Sequence, residues 1–374
     1  MLHGHGGNLM ELARQLGCSP QEIIDMSSNT NPLGPPPGLI EYLKDHVDAV
    51  GSFPEVDSKS ITELFAEFYG IDSRRVLAGN GTTQIIYSIP QVLEVKNALI
   101  VGPTYSDYED ACHLQNVKAT FIYAEAFTDF QVDLHQIKMH LEHVDAVFIC
   151  NPNNPTGSLI PLDALESLCR SYPETYFIID ESYLPFVAGG DALSLRNLES
   201  GNLIVLSSIS KIFAIPGLRI GFMISAAHMI KRFKRFLQPW SVNSLAQLAV
   251  RHLMANKDAA DAFIEKTQQH IRTERRRFLC AAKNFSNIHL FPSTTNFVMA
   301  QLPDGLGAED VINRLSRNKI MLRNCSNFNG LSSQFIRVSL KTAEVNNMLV
   351  AKLAKIARNT GGRIRQPKME IRAS

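Results

Sequence analysis

No stretch of the 374-residue chain approaches the roughly 18 consecutive apolar residues that a membrane-spanning helix requires. Met1 to Gly7 hold two His and three Gly, and so lack the charged and apolar regions of a secretory leader. A cytoplasmic protein is therefore expected. The six cysteines (Cys18, Cys112, Cys150, Cys169, Cys280 and Cys325) include no C-x-x-C pair, which argues against a disulfide framework or a zinc knuckle and for reduced, mostly buried thiols. Charge of one sign is not in excess either. Lys+Arg number 37 against 36 for Asp+Glu, whereas a protein that coats a nucleic-acid duplex would be more basic. The strongest basic clusters, Lys231 to Arg235 and Arg275 to Arg277, read as solvated helix faces. His140 and His143 have helical spacing but no catalytic water motif nearby, and read as surface histidines. Neither a nucleic-acid partner nor a metal is expected.

What is present is the composition of a globular protein, 45% hydrophobic and 20% charged, with length for about two domains at roughly 150 residues each. The first 30 residues read as an arm, and from there to about Met223 short apolar runs alternate with helical patterns: Ala98 to Val101, Ala146 to Cys150, Phe177 to Ile179, Leu203 to Leu206 and Ile220 to Ile224. Such alternation predicts an α/β fold with a mostly parallel sheet covered on both faces. Pro161 precedes a helical pattern of Leu162, Leu165, Leu168 and Cys169, and Thr82 or Thr83 is expected to cap a helix through Val92. The pattern is helical to about Asn284, then mixed through a last helix from Ala343 to Arg358. The expected division is 1–45 as an N-terminal arm and part of a small domain, 46–284 as a large domain, and 285–358 as a smaller α+β domain. A basic tail, 359–374, is expected to be disordered.

Open α/β sheets bind ligands beyond the carboxyl ends of their strands. The residues following the apolar runs are Asn151-Pro-Asn-Asn-Pro-Thr-Gly157, Asp180-Glu-Ser-Tyr183 and Ser207-Ser-Ile-Ser-Lys211, so an acid, an amide, hydroxyls and one lysine share a rim. Upstream, Gly79-Asn-Gly-Thr-Thr83 opens an apolar helical pattern; alone it reads as an ordinary capped turn sooner than a phosphate cradle, but it offers free backbone donors and hydroxyls to an anion. It is neither a Walker loop nor a dinucleotide fingerprint, since no Gly-Lys-Ser/Thr follows and Gln84 stands where a third glycine belongs. A phosphate cup, a strand-end acid, an aromatic and an amine are together what pyridoxal 5'-phosphate demands.

With these motifs in this order, the sequence resembles the fold-type I aminotransferase superfamily over nearly its whole length. The resemblance implies roles residue by residue. Lys211 is to form the Schiff base and then act as acid or base, and Asp180 is to keep the pyridine nitrogen protonated. Such an ion pair, at about 4 Å and an effective dielectric near 20, is worth on the order of 4 kcal/mol before desolvation. Asn154 and Tyr183 are to bond the ring hydroxyl, Tyr105 to stack on the ring, and Gly81, Thr82, Ser208, Ser210 and Arg219 to surround the phosphate.

Within the superfamily the chain is most similar to the branch holding histidinol-phosphate aminotransferases and threonine-phosphate decarboxylases. His5-Gly-Gly-Asn8 and Arg323-Asn-Cys-Ser-Asn-Phe-Asn-Gly330 point to the decarboxylases, with Asp25 to Gly34, Ala214 to Arg219 and Pro239 to Asn243 in support. That likeness implies that His5, Asn29, Asn154, Arg323 and Arg337 contact a substrate's phosphate and carboxylate. It also implies a homodimer, and decarboxylation of L-threonine-O-3-phosphate to (R)-1-aminopropan-2-ol phosphate for the nucleotide loop of cobalamin. L-serine-O-phosphate decarboxylation, histidinol-phosphate transamination and a non-catalytic cofactor-binding regulator are the alternatives. One departure stands out. The related families carry a Tyr where this chain has Phe53, and that hydroxyl reaches the cofactor phosphate of a neighbouring subunit.

Overall fold

A computed structural model of the chain describes residues 6–283 and 287–358. His5 and the basic tail from Asn359 lie outside the described residues. The arm starts with helix α1 (Leu9–Leu16), whose first turn is held by Asn8 Oδ1 accepting from the Glu11 N–H at 3.3 Å. It ends at Gly17 in the left-handed conformation, φ 61°.

The strands that follow are β1 (Val76–Gly79), β2 (Asn97–Gly102), β3 (Lys118–Tyr123), β4 (Ala146–Cys150), β5 (Tyr176–Asp180), β6 (Leu203–Ser207) and β7 (Gly221–Ser225). They form one sheet in the order β1-β7-β6-β5-β4-β2-β3. All neighbours are parallel except β7, which is antiparallel to both β1 and β6. The five expected apolar runs are all strands of this sheet. Every residue of β4 is buried, as a parallel strand covered on both faces requires.

Helices cover the sheet: α2 (Gly81–Leu93), α3 (Asp107–Leu114), α4 (Leu162–Ser171), the short α5 (Ile209–Ile212) and the long α6 (Lys257–Ala282). Helix α4 buries Leu165, Leu168 and Cys169, the positions its spacing selects. The N-cap of α2 is Asn80 rather than Thr82 or Thr83. Its N–H donates to Gln84 Oε1 at 2.7 Å, so both threonines lie inside the first turn and their hydroxyls are not spent on capping.

The remaining chain forms an antiparallel sheet of β8 (His289–Leu290), β9 (Phe297–Gln301), β10 (Arg323–Asn324) and β11 (Phe335–Ser339), in the order β10-β11-β9-β8. Ile24 and Asp25 of the arm pair in parallel with Ile320 and Met321, which ties the start of the chain to this region. One continuous apolar core runs from the large sheet into the small one. A satellite cluster of Phe130, Phe291, Met299, Cys325, Phe328 and Phe335 includes two residues, Cys325 and Phe328, of the loop that follows β10. Among the described residues no helix is long and apolar enough to cross a membrane.

Candidate active site

Because β1 runs parallel to β6, the carboxyl ends of six strands and the amino end of β7 meet at one rim. Asp180 is the last residue of β5 and is buried. Its Oδ1 accepts from the Ser182 N–H at 2.9 Å and its Oδ2 from the Tyr108 hydroxyl at 2.8 Å. Burial pushes this carboxyl above the ordinary carboxylate range, against the opposing pull of Ser182, Tyr108 and Lys211.

Lys211 lies in α5, just past β6. The arm fixes this helix: the Asn31 N–H donates to the Lys211 carbonyl at 3.0 Å, and Asn31 Nδ2 donates to the Ile212 carbonyl at 2.7 Å and to Thr267 Oγ1 of α6 at 2.8 Å. Burial brings the Lys211 ammonium down to about 8, helped by Arg219 and Arg337 and opposed by Asp180. Asp180 and Lys211 line the same cavity, of about 120 Å³.

The far wall of that cavity is built from Gly81, Thr82, Ser208, Ser210 and Arg219. The Ser208 and Ser210 hydroxyls lie 2.9 Å apart. Arg219 takes the left-handed conformation, φ 55°, which costs a non-glycine residue on the order of 1–3 kcal/mol and is held here by its surroundings. Its guanidinium lies across Gly81: a Cβ there would stand 2.7 Å from Arg219 Nη2. The start of β7 comes as close to α2, since a Cβ on Gly221 would stand 2.5 Å from the Thr82 backbone nitrogen. Two glycines therefore let one guanidinium, a set of hydroxyls and the open N–H groups of α2 face a common point.

Tyr105, Asn154, Tyr183 and Lys211 line this cavity and also an adjoining one of about 350 Å³, lined further by Gly7, Asn29, Arg323 and Arg337. Arg337 is buried, donates to Asn154 Oδ1 and to the Ser27 carbonyl, the latter at 2.6 Å, and its buried Nε has no partner among the described residues. Arg323 is buried, donates from Nη2 to Asn327 Oδ1 at 2.8 Å, and lies over the Phe328 ring at 4.8 Å. Burial, with Arg337 beside it, lowers Arg323 to about 10. Asn29 bridges the two parts of the fold, with Nδ2 donating to the Tyr183 hydroxyl at 3.3 Å and Oδ1 accepting from Ser339 at 2.6 Å. Burial raises the Tyr183 phenol to about 12.

The structure thus brings together every site residue expected from sequence except His5, which lies outside the described residues. Sequence reasoning missed Tyr108, whose only signal was its closeness in sequence to Tyr105, and Asn327, which holds Arg323.

Acid, amine, aromatic ring and an anion cradle tight enough to exclude a Cβ fit a phosphorylated pyridine aldehyde. A family model described as aminotransferase class I and II matches residues 21–353. The chain belongs to that family. It is a pyridoxal 5'-phosphate-dependent enzyme of fold type I. It is 30% identical over 359 residues, 94% of this chain and 96% of the relative, to a protein named threonine-phosphate decarboxylase from Salmonella typhimurium. It is 32% identical over 371 residues to the adenosylcobalamin biosynthesis bifunctional protein CobDQ from Leptospira interrogans, covering 97% of this chain but only 42% of that longer protein. A histidinol-phosphate aminotransferase structure from Clostridium acetobutylicum superposes with a TM-score of 0.82 at 27% identity, covering 90% of this chain and all of that one.

Proposed function

We propose that this enzyme decarboxylates L-threonine-O-3-phosphate, releasing CO2 and (R)-1-aminopropan-2-ol phosphate for cobalamin biosynthesis. The observation that carries the reading is the pair of buried arginines, Arg323 and Arg337, on one wall of the larger cavity. Two buried guanidiniums suit a substrate with two anions, a phosphate and a carboxylate. The names of the relatives from Salmonella typhimurium and Leptospira interrogans point the same way. Histidinol phosphate has a phosphate but no carboxylate, and would leave one arginine without an anionic partner.

When bound, pyridoxal 5'-phosphate supplies an aldehyde for the substrate amine and a cationic ring that accepts the electrons freed at the α-carbon. Gly81, Thr82, Ser208, Ser210 and Arg219 would hold its phosphate, Asp180 the charge on its ring nitrogen, and Asn154 and Tyr183 its ring hydroxyl, with Tyr105 against its face. Lys211 is the amine that anchors the aldehyde and later carries a proton at Nζ. Arg337 lowers the affinity of Lys211 for its proton, whereas Arg323 is bonded to Asn327 and packed on Phe328 farther along the wall. We therefore give Arg337 the carboxylate and Arg323 the phosphate, with Asn29 on the same cavity wall. Held by Arg337, the carboxylate rather than the α-hydrogen is turned toward the cleavable position.

We propose further that the protein acts as a cytoplasmic homodimer. Phe53 and Trp240 are exposed, and their rings pack at 5.1 Å with exposed Val50 and Val56 nearby, an apolar strip suited to a second copy. The pairing of Ile24–Asp25 with Ile320–Met321 supports a small domain built from 1–45 and 285–358, beside a large domain of 46–284. The test of activity is to incubate the enzyme with phosphothreonine, phosphoserine and histidinol phosphate, measuring CO2 and keto acid separately. CO2 from phosphothreonine without keto acid is expected. Glutamate formed from added 2-oxoglutarate, with histidinol phosphate converted to its ketone, would replace this reading with transamination.

A further inference from the structure

Tyr108 opens the first turn of α3 and is fully buried. Its hydroxyl donates to Asp180 Oδ2 at 2.8 Å. Its ring meets Tyr105 edge-on, with centroids 5.7 Å apart at 84°, and lies against Phe148 of β4 at 5.5 Å and 22°. Phe148 thus fixes the tilt of a ring that touches two other groups, one through its oxygen and one through its edge.

We propose that Tyr108 is a positioning residue of the cofactor site, locking the carboxylate assigned to the ring nitrogen and backing the ring assigned to the cofactor's face. The proposal rests on the placement of Asp180 given above. Asp180 has two oxygens and two fixed donors, the Ser182 N–H on one and the Tyr108 hydroxyl on the other, so its carboxylate plane is set before any ligand arrives. A buried carboxylate that lost one donor would keep its desolvation cost without the compensating bond and would hold a proton more tightly.

The groups facing Asp180 are Tyr108 from α3, Cys150 from β4, Lys211 from α5, and Glu181 and Tyr183 along its own chain. Burial raises the Cys150 thiol well above its ordinary value, and Tyr183 also stays neutral through the working range. Burial also raises the carboxyls of Asp180 and, next to it in the chain, Glu181, the latter to about 7. Glu181 is engaged by Ser194 and by the Leu195 N–H at 2.8 Å, and Tyr108 does not touch it.

The experiment is a double-mutant cycle on the full-length enzyme. Pyridoxal 5'-phosphate affinity is read from the absorbance of the bound cofactor across a pH series, for the native protein, Tyr108→Phe, Asp180→Ala and the pair. Loss of one hydrogen bond to a charged group predicts about tenfold weaker affinity in Tyr108→Phe and an acid limb moved up by about one pH unit. In the Asp180→Ala background the same substitution should change affinity less than about twofold, because the hydroxyl has no carboxylate left to hold. An equal loss in both backgrounds, or none in either, overturns the proposal. If Asp180→Ala alone leaves affinity unchanged, the placement of Asp180 fails. If it weakens affinity and Tyr108→Phe does not, only the role of Tyr108 fails. Should Tyr108→Phe not fold, a folded Tyr108→Phe/Asp180→Ala pair supports the coupling and an unfolded pair overturns it.

Discussion

Arg323 and Arg337 are direct cross-strand partners: β10 and β11 run antiparallel with these two residues in register, and both are buried. Like charges placed opposite each other destabilise a strand pair, and here burial adds a desolvation cost to each. Among the described residues no ion pair includes either arginine; their hydrogen bonds go to Asn154, Ser27, Asn324 and Asn327. Such a pair is costly in the free protein and relieved by an anionic ligand, the arrangement of a binding wall rather than of a structural bridge.

The first prediction follows. Replacing Arg337 with Met should lower kcat/KM for phosphothreonine by about 100-fold or more, since a charged, bidentate contact worth roughly 1.5–3 kcal/mol is lost together with the orientation it imposes. Arg323→Met should act mainly through KM. Cofactor absorbance should survive both changes, because neither residue lines the smaller cavity. Steady-state kinetics with CO2 detection, beside an absorbance spectrum of each variant, provide the check.

A second prediction concerns pH. The Lys211 amine attacks an aldehyde only when neutral, and its pKa is lowered from 10.5 to about 8. At pH 7 the neutral share is then about a tenth instead of about one part in three thousand, a gain of about 300-fold. Protonation below the lowered value removes the nucleophile, so the sign is fixed. Cofactor capture by the cofactor-free enzyme should rise about tenfold per pH unit below 8 and level off above it. Stopped-flow absorbance on mixing with pyridoxal 5'-phosphate measures this, and Lys211→Ala should abolish both the linkage and turnover.

How much of this was readable in advance depends on what kind of information each feature uses. Ala146 to Cys150 reads as a strand because burial on both faces leaves an unbroken apolar run, and the residues just past such runs, Asn154, Asp180 and Lys211, are then placed by topology alone. The pairing of Arg323 with Arg337 was not readable, since register comes from turn geometry and packing between two short strands, and neither leaves a local trace. Tyr108 was hidden for another reason: a tyrosine on an amphipathic helix looks like any core aromatic until the strand end that accepts its proton is seen. The α2 cap moved to Asn80 because Thr82 and Thr83 already have helical positions, a distinction of one or two residues that propensity does not make.

The phosphate cradle gives a third prediction. Gly81 has φ 72°, and an added Cβ would meet Arg219 Nη2 at 2.7 Å. Gly81→Ala should therefore both strain the turn and push the guanidinium aside, weakening pyridoxal 5'-phosphate by about 10- to 100-fold, the range expected for losing a charged contact of roughly 1.5–3 kcal/mol. Equilibrium dialysis of the cofactor against the variant tests this. A control at Gly217, where a Cβ meets nothing within 4 Å, should bind as the native protein does.

The last prediction concerns the exposed strip. Phe53 is 83% exposed, yet it packs on Trp240, itself 49% exposed and held in the left-handed conformation at φ 57°. The Trp240 N–H donates to the Val56 carbonyl at 3.0 Å, and Asn243 Nδ2 donates to the Leu218 carbonyl at 2.8 Å, one residue before Arg219. The strip is thus connected through a short run of chain to the phosphate cradle, and covering it with a second copy would steady Arg219 as well as bury apolar surface. If the strip is the proposed dimer interface, Phe53→Asp should place a charge in it, shift the protein toward monomer in sedimentation velocity, and weaken cofactor retention in parallel across a concentration series. A native protein that sediments as a monomer at full activity would remove the basis for this coupling.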